Sequence, residues 1–188
     1  MSKTEPDAGR VHEQTYGTRE LARLQALIDR STATATASVA DSVAYSGRQM
    51  SAAEFVEFWR SVRLVAMATV GAAGQPHIAP VHAQLGGTKF RFGPGHDAIG
   101  DENSDLTTLR MVIYEDAVRR ADLAHNPRVA LTTWRDDGAT AILYGRAAEV
   151  AGSLREARTG RSGKPRKVVE VAIKLSRIYA MRPPERLP

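Results

Sequence analysis

Arg119 and Arg120 stand at the start of a short helical segment that ends at Asn126-Pro127, and that placement suits an anion. Unpaired backbone N–H groups and the positive end of the helix dipole already favour negative charge there, and guanidinium groups add to it. Asp116 reads as the N-cap of this helix, and Pro127 stops it by disfavouring helical geometry at Asn126. Two arginines on an isolated helix would read as solvated charges. The order of segments around them favours a phosphate instead. His77 and His82 fall five residues apart on a proposed strand, so they point to opposite faces and share no metal ion. His82 carries an imidazole that can hydrogen-bond to a ligand, or can simply sit at a strand end facing solvent. His125 belongs to the helix stop, and Trp134 closes a strand.

Two apparent motifs fail. Asp101-Glu102-Asn103-Ser104-Asp105 begins like a calcium loop, but Leu106 stands where glycine is needed and Val112 where a bidentate glutamate belongs. In Gly160-Arg161-Ser162-Gly163-Lys164-Pro165, Arg158 replaces the first P-loop glycine and Pro165 occupies the Ser/Thr slot. No catalytic acid or base stands out.

The elements that must position these residues have a β texture from Arg63 onward. Leu64–Val70 is short and rich in apolar residues, and Gly71-Ala72-Ala73-Gly74-Gln75-Pro76 bounds it, so it reads as a buried strand entering a hairpin. The chain returns as His77-Ile78-Ala79-Pro80-Val81-His82-Ala83. Strands are expected near 63–70, 77–84, 88–93, 109–114, 128–134, 139–150 and 168–181, which suits a small β-barrel. In the last, Val169, Val171, Ile173 and Leu175 share one face and Glu170 and Lys174 the other. Gly93–Thr108 reads as a loop or an insertion.

Ahead of the barrel, residues 1–17 are polar and read as disordered. Leu21, Leu24, Leu27 and Ile28 then follow Thr18 at helical spacing. Ser31–Ser38 reads as a linker or covering arm. Ser51 and Glu54 form a capping-box pattern before Phe55, Phe58, Trp59 and Val62, an apolar stripe that reads as core packing. The organisation expected is an N-terminal extension over 1–50 (disordered start, one helix, linker) and one cofactor-binding domain over 51–188.

The 188 residues contain no cysteine, which excludes disulfides, thiolate nucleophiles and thiolate metal sites and agrees with a cytoplasmic protein. No apolar signal core opens the chain, and no uninterrupted apolar run approaches the roughly 20 residues of a membrane helix. The formal charge of +5 is local: residues 146–188 hold eleven Lys/Arg against four Asp/Glu. Arg155–Lys167 is broken by Gly160, Gly163 and Pro165 and has no aromatic residue on which a base could stack, so it reads as a solvated loop rather than a nucleic-acid patch.

From Ser51 to Met181 the chain resembles the pyridoxamine 5′-phosphate oxidase-like family, the flavin-binding split β-barrels. The likeness rests on Leu64–Val70, Gly74-Gln75-Pro76-His77, Pro80-Val81, Asp122-Leu123-Ala124-His125-Asn126-Pro127-Arg128-Val129-Ala130-Leu131 and Gly145-Arg146-Ala147. It implies a mainly β (α+β) split barrel with N-terminal helices, forming a homodimer with FMN at the interface. In one actinobacterial branch the deazaflavin F420 takes that place, and a haem-degrading branch uses the same barrel.

The family's usual phosphate-binding pattern is Lys-x-Arg-Asn-Leu; here the register reads Arg119-Arg120-Ala121-Asp122-Leu123. Arg119 keeps its charge, and Arg120 would compensate for Ala121 from the neighbouring position. Ala79, Pro80, Val81 and His82 match the strand along which the ring lies, contributing largely backbone groups. Ile113 and Tyr114 match the strand end beside the ring, and Thr140 and Ala141 the strand that reaches over from the partner subunit. The substrate-gripping Arg-Leu-x-His element is matched only by Arg177-Ile178-Tyr179-Ala180, which lacks the histidine, so vitamin B6 oxidation ranks low. The resemblance implies FMN- or F420-dependent hydride transfer to or from a small molecule. The other classes are a non-catalytic flavin, F420 or haem carrier and a basic barrel that binds nucleic acid.

Overall fold

A computed structural model describes residues 16–44, 47–86, 105–158 and 165–184. Three helices lead: α1 (Thr18–Ala33), α2 (Ala37–Ala44) and α3 (Ala52–Ser61). The strands β1 (Val65–Val70), β2 (Pro76–Val81), β3 (Gln84–Leu85) and β4 (Thr108–Tyr114) follow, then α4 (Val118–His125). β5 (Arg128–Trp134), β6 (Thr140–Glu149), β7 (Arg155–Arg158) and β8 (Pro165–Met181) complete the order. The expected disordered start falls on residues outside the described set except for Tyr16 and Gly17, and the expected strand at 88–93 lies wholly outside it.

The strands form one antiparallel sheet in the order β2-β1-β5-β6-β8-β4-β3, with β7 alongside β8. The sheet curls until its two edge strands, β2 and β3, are separated in the chain only by His82 and Ala83. The result is a split β-barrel with helices packed against it. Alternation dictates the interior: Val65, Met67 and Thr69 of β1, Val129, Leu131 and Thr133 of β5, and Ala141 and Leu143 of β6 are buried, while their neighbours are not. Leu109, Met111 and Ile113 of β4 meet Ile173, Val171 and Val169 of β8 on the same inner side.

At Gly145 the β6–β8 register shifts, so that Tyr144 pairs with Arg177 and Gly145 with Leu175. The extra residue on β8 is a bulge that sharpens the local curl. A Cβ at position 145 would lie 2.6 Å from the Lys174 carbonyl oxygen and 2.8 Å from Ile173 Cγ2, which explains the glycine. At the β1–β2 turn, Gly74 takes φ 79°, a conformation that L side chains rarely adopt.

The N-terminal helices belong to the same core. Leu24, Leu27 and Ile28 of α1 pack with Phe55, Val56, Phe58 and Trp59 of α3 and with the strands. Buried Ser31 donates to the Leu27 carbonyl at 2.6 Å and accepts the Ile178 N–H of β8 at 3.0 Å. The α3 capping box forms as its spacing predicts, with the Ser51 hydroxyl and Glu54 carboxylate exchanging hydrogen bonds with each other's backbone N–H. Among the described residues, no helix is long and apolar enough to cross a membrane.

Three local expectations are corrected. Ser31–Ser38 is not a linker: α1 runs to Ala33 and α2 opens at Ala37. The hydroxyls of Thr34 and Ser42 bond the carbonyls four residues back at 2.9 Å each, which satisfies these side chains within helical turns. Arg155–Lys167 is not all loop, because β7 extends the β8 ladder from Arg155 opposite Val168 to Arg158 opposite Pro165. Residues 159–164 of that segment lie outside the described set. Asp116 does not cap α4; Ala117 precedes the helix and supplies no side-chain cap, while Asp116 is drawn to Arg166 at 2.9 Å.

Of the expected 93–108 loop, only Asp105–Thr108 is described. Burial disfavours the charge on Asp105. Donors from Lys174, Thr107 and Thr108 outweigh that effect and hold its carboxyl well below the usual range.

Candidate functional site at the open seam

β2 pairs with β1, and β3 pairs with β4 through Gln84 with Arg110 and Leu85 with Leu109. Continuing that second register would set His82 opposite Val112 and Pro80 opposite Tyr114. Among the described residues neither pair forms, because the chain breaks at His82-Ala83 and β2 turns to β1 alone. Trp59 Nε1 donates to the Ala83 carbonyl at 3.1 Å and anchors the break to α3. Among the described residues, no strand pairs with the outer edge of β2 or with the Met111–Tyr114 edge of β4 across the seam. Such edges present backbone N–H and C=O groups. Ala79, Pro80, Val81, His82, Ile113 and Tyr114 all lie along them.

Their side chains divide by face. Val81 and Ile113 are buried in the barrel and Ala79 is half-buried, so these residues can offer a ligand mainly main-chain atoms. Pro80 and His82 are exposed on the outer side. Tyr114 is covered by Arg166, whose guanidinium carbon lies 3.7 Å from the ring centroid. Thr140 and Ala141 are not brought to this seam. They lie on β6, beyond β1 and β5, where Thr140 donates to the Thr133 carbonyl at 3.0 Å and Ala141 is fully buried.

α4 opens one tight turn after Tyr114, where the Ala117 N–H meets the Tyr114 carbonyl at 3.1 Å. The cations of this rim are not equivalent. Arg120 makes a forked contact with Glu149 at 2.6 and 3.2 Å, which holds its proton more firmly than usual. Arg166 grips Asp116 at 2.9 and 3.0 Å, and Lys167 lies 3.8 Å from Glu115. Among the described residues, Arg119 alone of these four has no carboxylate partner, and its Nη1 is buried without a hydrogen bond. The expectation that Arg120 compensates for Ala121 therefore meets a guanidinium already committed to Glu149.

One turn along α4 lies a feature that sequence reasoning missed. Asp122, 4% exposed, accepts at Oδ2 from the hydroxyl of Thr69, 2% exposed, at 2.6 Å and from His77 Nδ1 at 2.8 Å. The Thr69 hydrogen bond is the largest cause holding the Asp122 carboxyl below its ordinary range; burial opposes it and His77 reinforces it. Because the carboxylate can only accept, His77 carries its hydrogen on Nδ1, and its side chain remains 41% exposed. The available signal was Thr69, a polar residue at an inward position of β1 in phase with Val65 and Met67.

The outer face of β2, β1 and β5 holds an open groove. Leu64, Ala66, Ile78, Pro80, Thr132 and Trp134 line it among others. Ile78 is 75% exposed and Trp134 68%, large values for apolar side chains that share one face.

The described residues form a split β-barrel whose seam leads to the start of α4, a helix with no side-chain cap and two arginines in its first turn. More specifically, the chain belongs to the pyridoxamine 5′-phosphate oxidase family, whose sequence profile matches residues 51–179. No curated protein matches the sequence. The fold is similar to that of a conserved hypothetical protein from Mycobacterium tuberculosis, at 18% identity and TM-score 0.51, covering 74% of this chain and 89% of that one. It is also similar to General Stress Protein 26 from Bacillus anthracis, at 17% identity and TM-score 0.47, over 71% and 96% of the two chains. The haem storage protein HutZ from Vibrio cholerae matches at 13% identity and TM-score 0.45, over 69% and 93%.

Proposed function

We propose that the chain is an oxidoreductase of its family that holds FMN, or F420 in its place, by the phosphate at Arg119. A hydride would pass between the cofactor and a small molecule in the cytoplasm. The observation that carries this reading is Arg119 Nη1, buried and unpartnered on the first turn of α4. Leaving a buried donor unsatisfied costs about 1–3 kcal/mol, more when it is charged, and a phosphate oxygen would supply the missing acceptor. Uncapped N–H groups at the same helix start suit the same anion.

When bound, the cofactor supplies the hydride chemistry. The chain's part is binding and orientation. Arg119 would hold the phosphate, and the edges at Ala79–Val81 and Ile113–Tyr114 would present main-chain groups to the ring. The packed interior behind Val81 and Ile113 keeps water from one side. The apolar face around Ile78 and Trp134 supports a homodimer in which Thr140 would reach the ligand across the interface, whereas Ala141, fully buried, could act only by shaping β6.

A non-catalytic carrier is the second reading, favoured by the ring-side positions themselves. Ala79, Pro80, Val81 and Ile113 carry no acid or base, and of the two titratable side chains on the same edges, His82 and Tyr114, the Tyr114 ring is covered by Arg166. Haem is the alternative cofactor, its propionate carboxylates answering Arg119 in place of a phosphate. Nucleic acid ranks below these, since Arg120, Arg166 and Lys167 are engaged with carboxylates.

The visible spectrum of protein from its native host, with mass spectrometry of the released chromophore, tests the reading. FMN or F420 is expected, and Arg119→Ala should weaken cofactor binding roughly tenfold to a hundredfold without unfolding the barrel. Unchanged affinity would remove Arg119 from the site. A colourless protein indifferent to FMN, F420 and haem, yet binding DNA or RNA with steep salt dependence, would overturn the whole reading.

A further inference from the structure

The geometry points to Asp122 as the positioning residue that holds Arg119 poised for its anion, an assignment that rests on the cofactor reading above. α4 has only eight residues and no side-chain cap, so it draws its stability and its orientation from tertiary contacts. Leu123 packs in the core, but apolar contact is non-directional. The Arg120–Glu149 pair is exposed, and such pairs contribute little. Asp122 is different in kind: it is buried, and one carboxylate oxygen accepts from two residues directly opposite each other on neighbouring strands, Thr69 and His77.

That two-strand tie fixes the rotation of α4 about its own axis. Rotation decides where Arg119, three residues earlier on the same face, carries its guanidinium. A helix free to turn would bring Arg119 to water or to a carboxylate rather than leave Nη1 buried and unpaired. The tie also has little slack. A Cβ on Gly71 would stand 3.2 Å from Asp122 Oδ1 and 3.3 Å from His77 Cε1, so glycine is what lets the turn close on the pair. The family pattern carries asparagine at this position; the aspartate here is a full acceptor for both donors, and its partner His77 lies on the strand that carries Ala79 to Val81 along the seam.

The test is a double-mutant cycle read on the phosphate alone. Dissociation constants are measured for FMN against riboflavin, and for F420 against its phosphate-free chromophore, in the full-length protein and in Arg119→Ala, Asp122→Ala and the double variant. Asp122→Ala should weaken the phosphorylated ligand roughly tenfold while leaving the phosphate-free one within about twofold, and should add nothing once Arg119 is gone. Asp122→Asn should restore most of the loss. Should Asp122→Ala unfold the barrel, Thr69→Val removes one of the two donors with less disruption and should show a smaller loss of the same kind.

Equal losses for both members of a pair, or losses that add independently of Arg119, would overturn the positioning role and leave the cofactor reading standing. If Arg119→Ala itself fails to separate FMN from riboflavin and F420 from its core, the cofactor reading falls first, and the positioning role falls with it.

Discussion

Gly145→Ala puts the barrel's tightest backbone approach to the test. The added methyl would lie 2.6 Å from the Lys174 carbonyl oxygen, 2.8 Å from Ile173 Cγ2 and 3.3 Å from the Lys174 carbonyl carbon. Ordinary van der Waals contact begins at about 3.5 Å, so the two strands must part by several tenths of an ångström. Because the nearest atom is main chain in a continuous ladder, the strain cannot be relieved by a rotamer change. Overpacking of this sort costs about 1–3 kcal/mol, and in a chain of this size each kcal/mol lowers Tm by roughly 2–4 °C. Thermal and urea unfolding should therefore show Tm lower by about 2–12 °C and a reduced midpoint with an unchanged m-value. Ile173→Ala in the same background should not rescue, since the Lys174 oxygen remains. A Gly145→Ala variant as stable as the parent would show that the bulge at Tyr144–Gly145 is loose and that the register argument for this glycine is wrong.

Ser31→Ala strands the Ile178 N–H in the core and should cost about 1–3 kcal/mol by urea denaturation. Glu54 is held at about 2, first by Arg182 and then by Ser51. Its contribution is therefore complete above the ordinary carboxylate range and fades as pH falls toward about 2. Glu54→Gln should flatten that acid limb by a modest amount, since the pair is largely exposed. Ile78→Glu on the open groove should keep the folded circular dichroism spectrum but convert the proposed dimer into a species of the single-chain mass, 20.4 kDa, by light scattering, with a Tm that no longer depends on protein concentration. A dimer that survives would place the interface elsewhere.

The helices α1 and α3 were legible because both carry strong periodicity, and α3 adds a complete capping box. β8 was legible because its alternation left little choice of face, and β1 because a short apolar run ends at a Gly-rich turn. β7 was not, since Arg-Glu-Ala-Arg has no apolar alternation and pairs only because β8 extends beside it. α2 was hidden by a run of Ser, Thr and Ala whose composition reads as linker, while its Ser42 hydroxyl is satisfied inside a helical turn. At the site, α4 could be read from its Asn-Pro stop, while the seam residues came only from the family resemblance. The commitments of their neighbours could be read from neither. Glu149 claims Arg120 from 29 positions away, Arg166 claims Asp116 from 50, and Thr69 claims Asp122 from 53. Pairings across such distances depend on how the sheet closes, which no local pattern encodes.

The indole of Trp59, fastened to the Ala83 carbonyl at the break between β2 and β3, gives the protein an internal optical probe. Of the two tryptophans in the chain, Trp134 is largely exposed and Trp59 is not, so their emission maxima separate. A yellow chromophore lodged beside His82 would drain the excited state of Trp59 by resonance transfer, whereas closing of the apolar groove would blue-shift Trp134. Loading and pairing can thus be followed in one unlabelled sample, at two wavelengths.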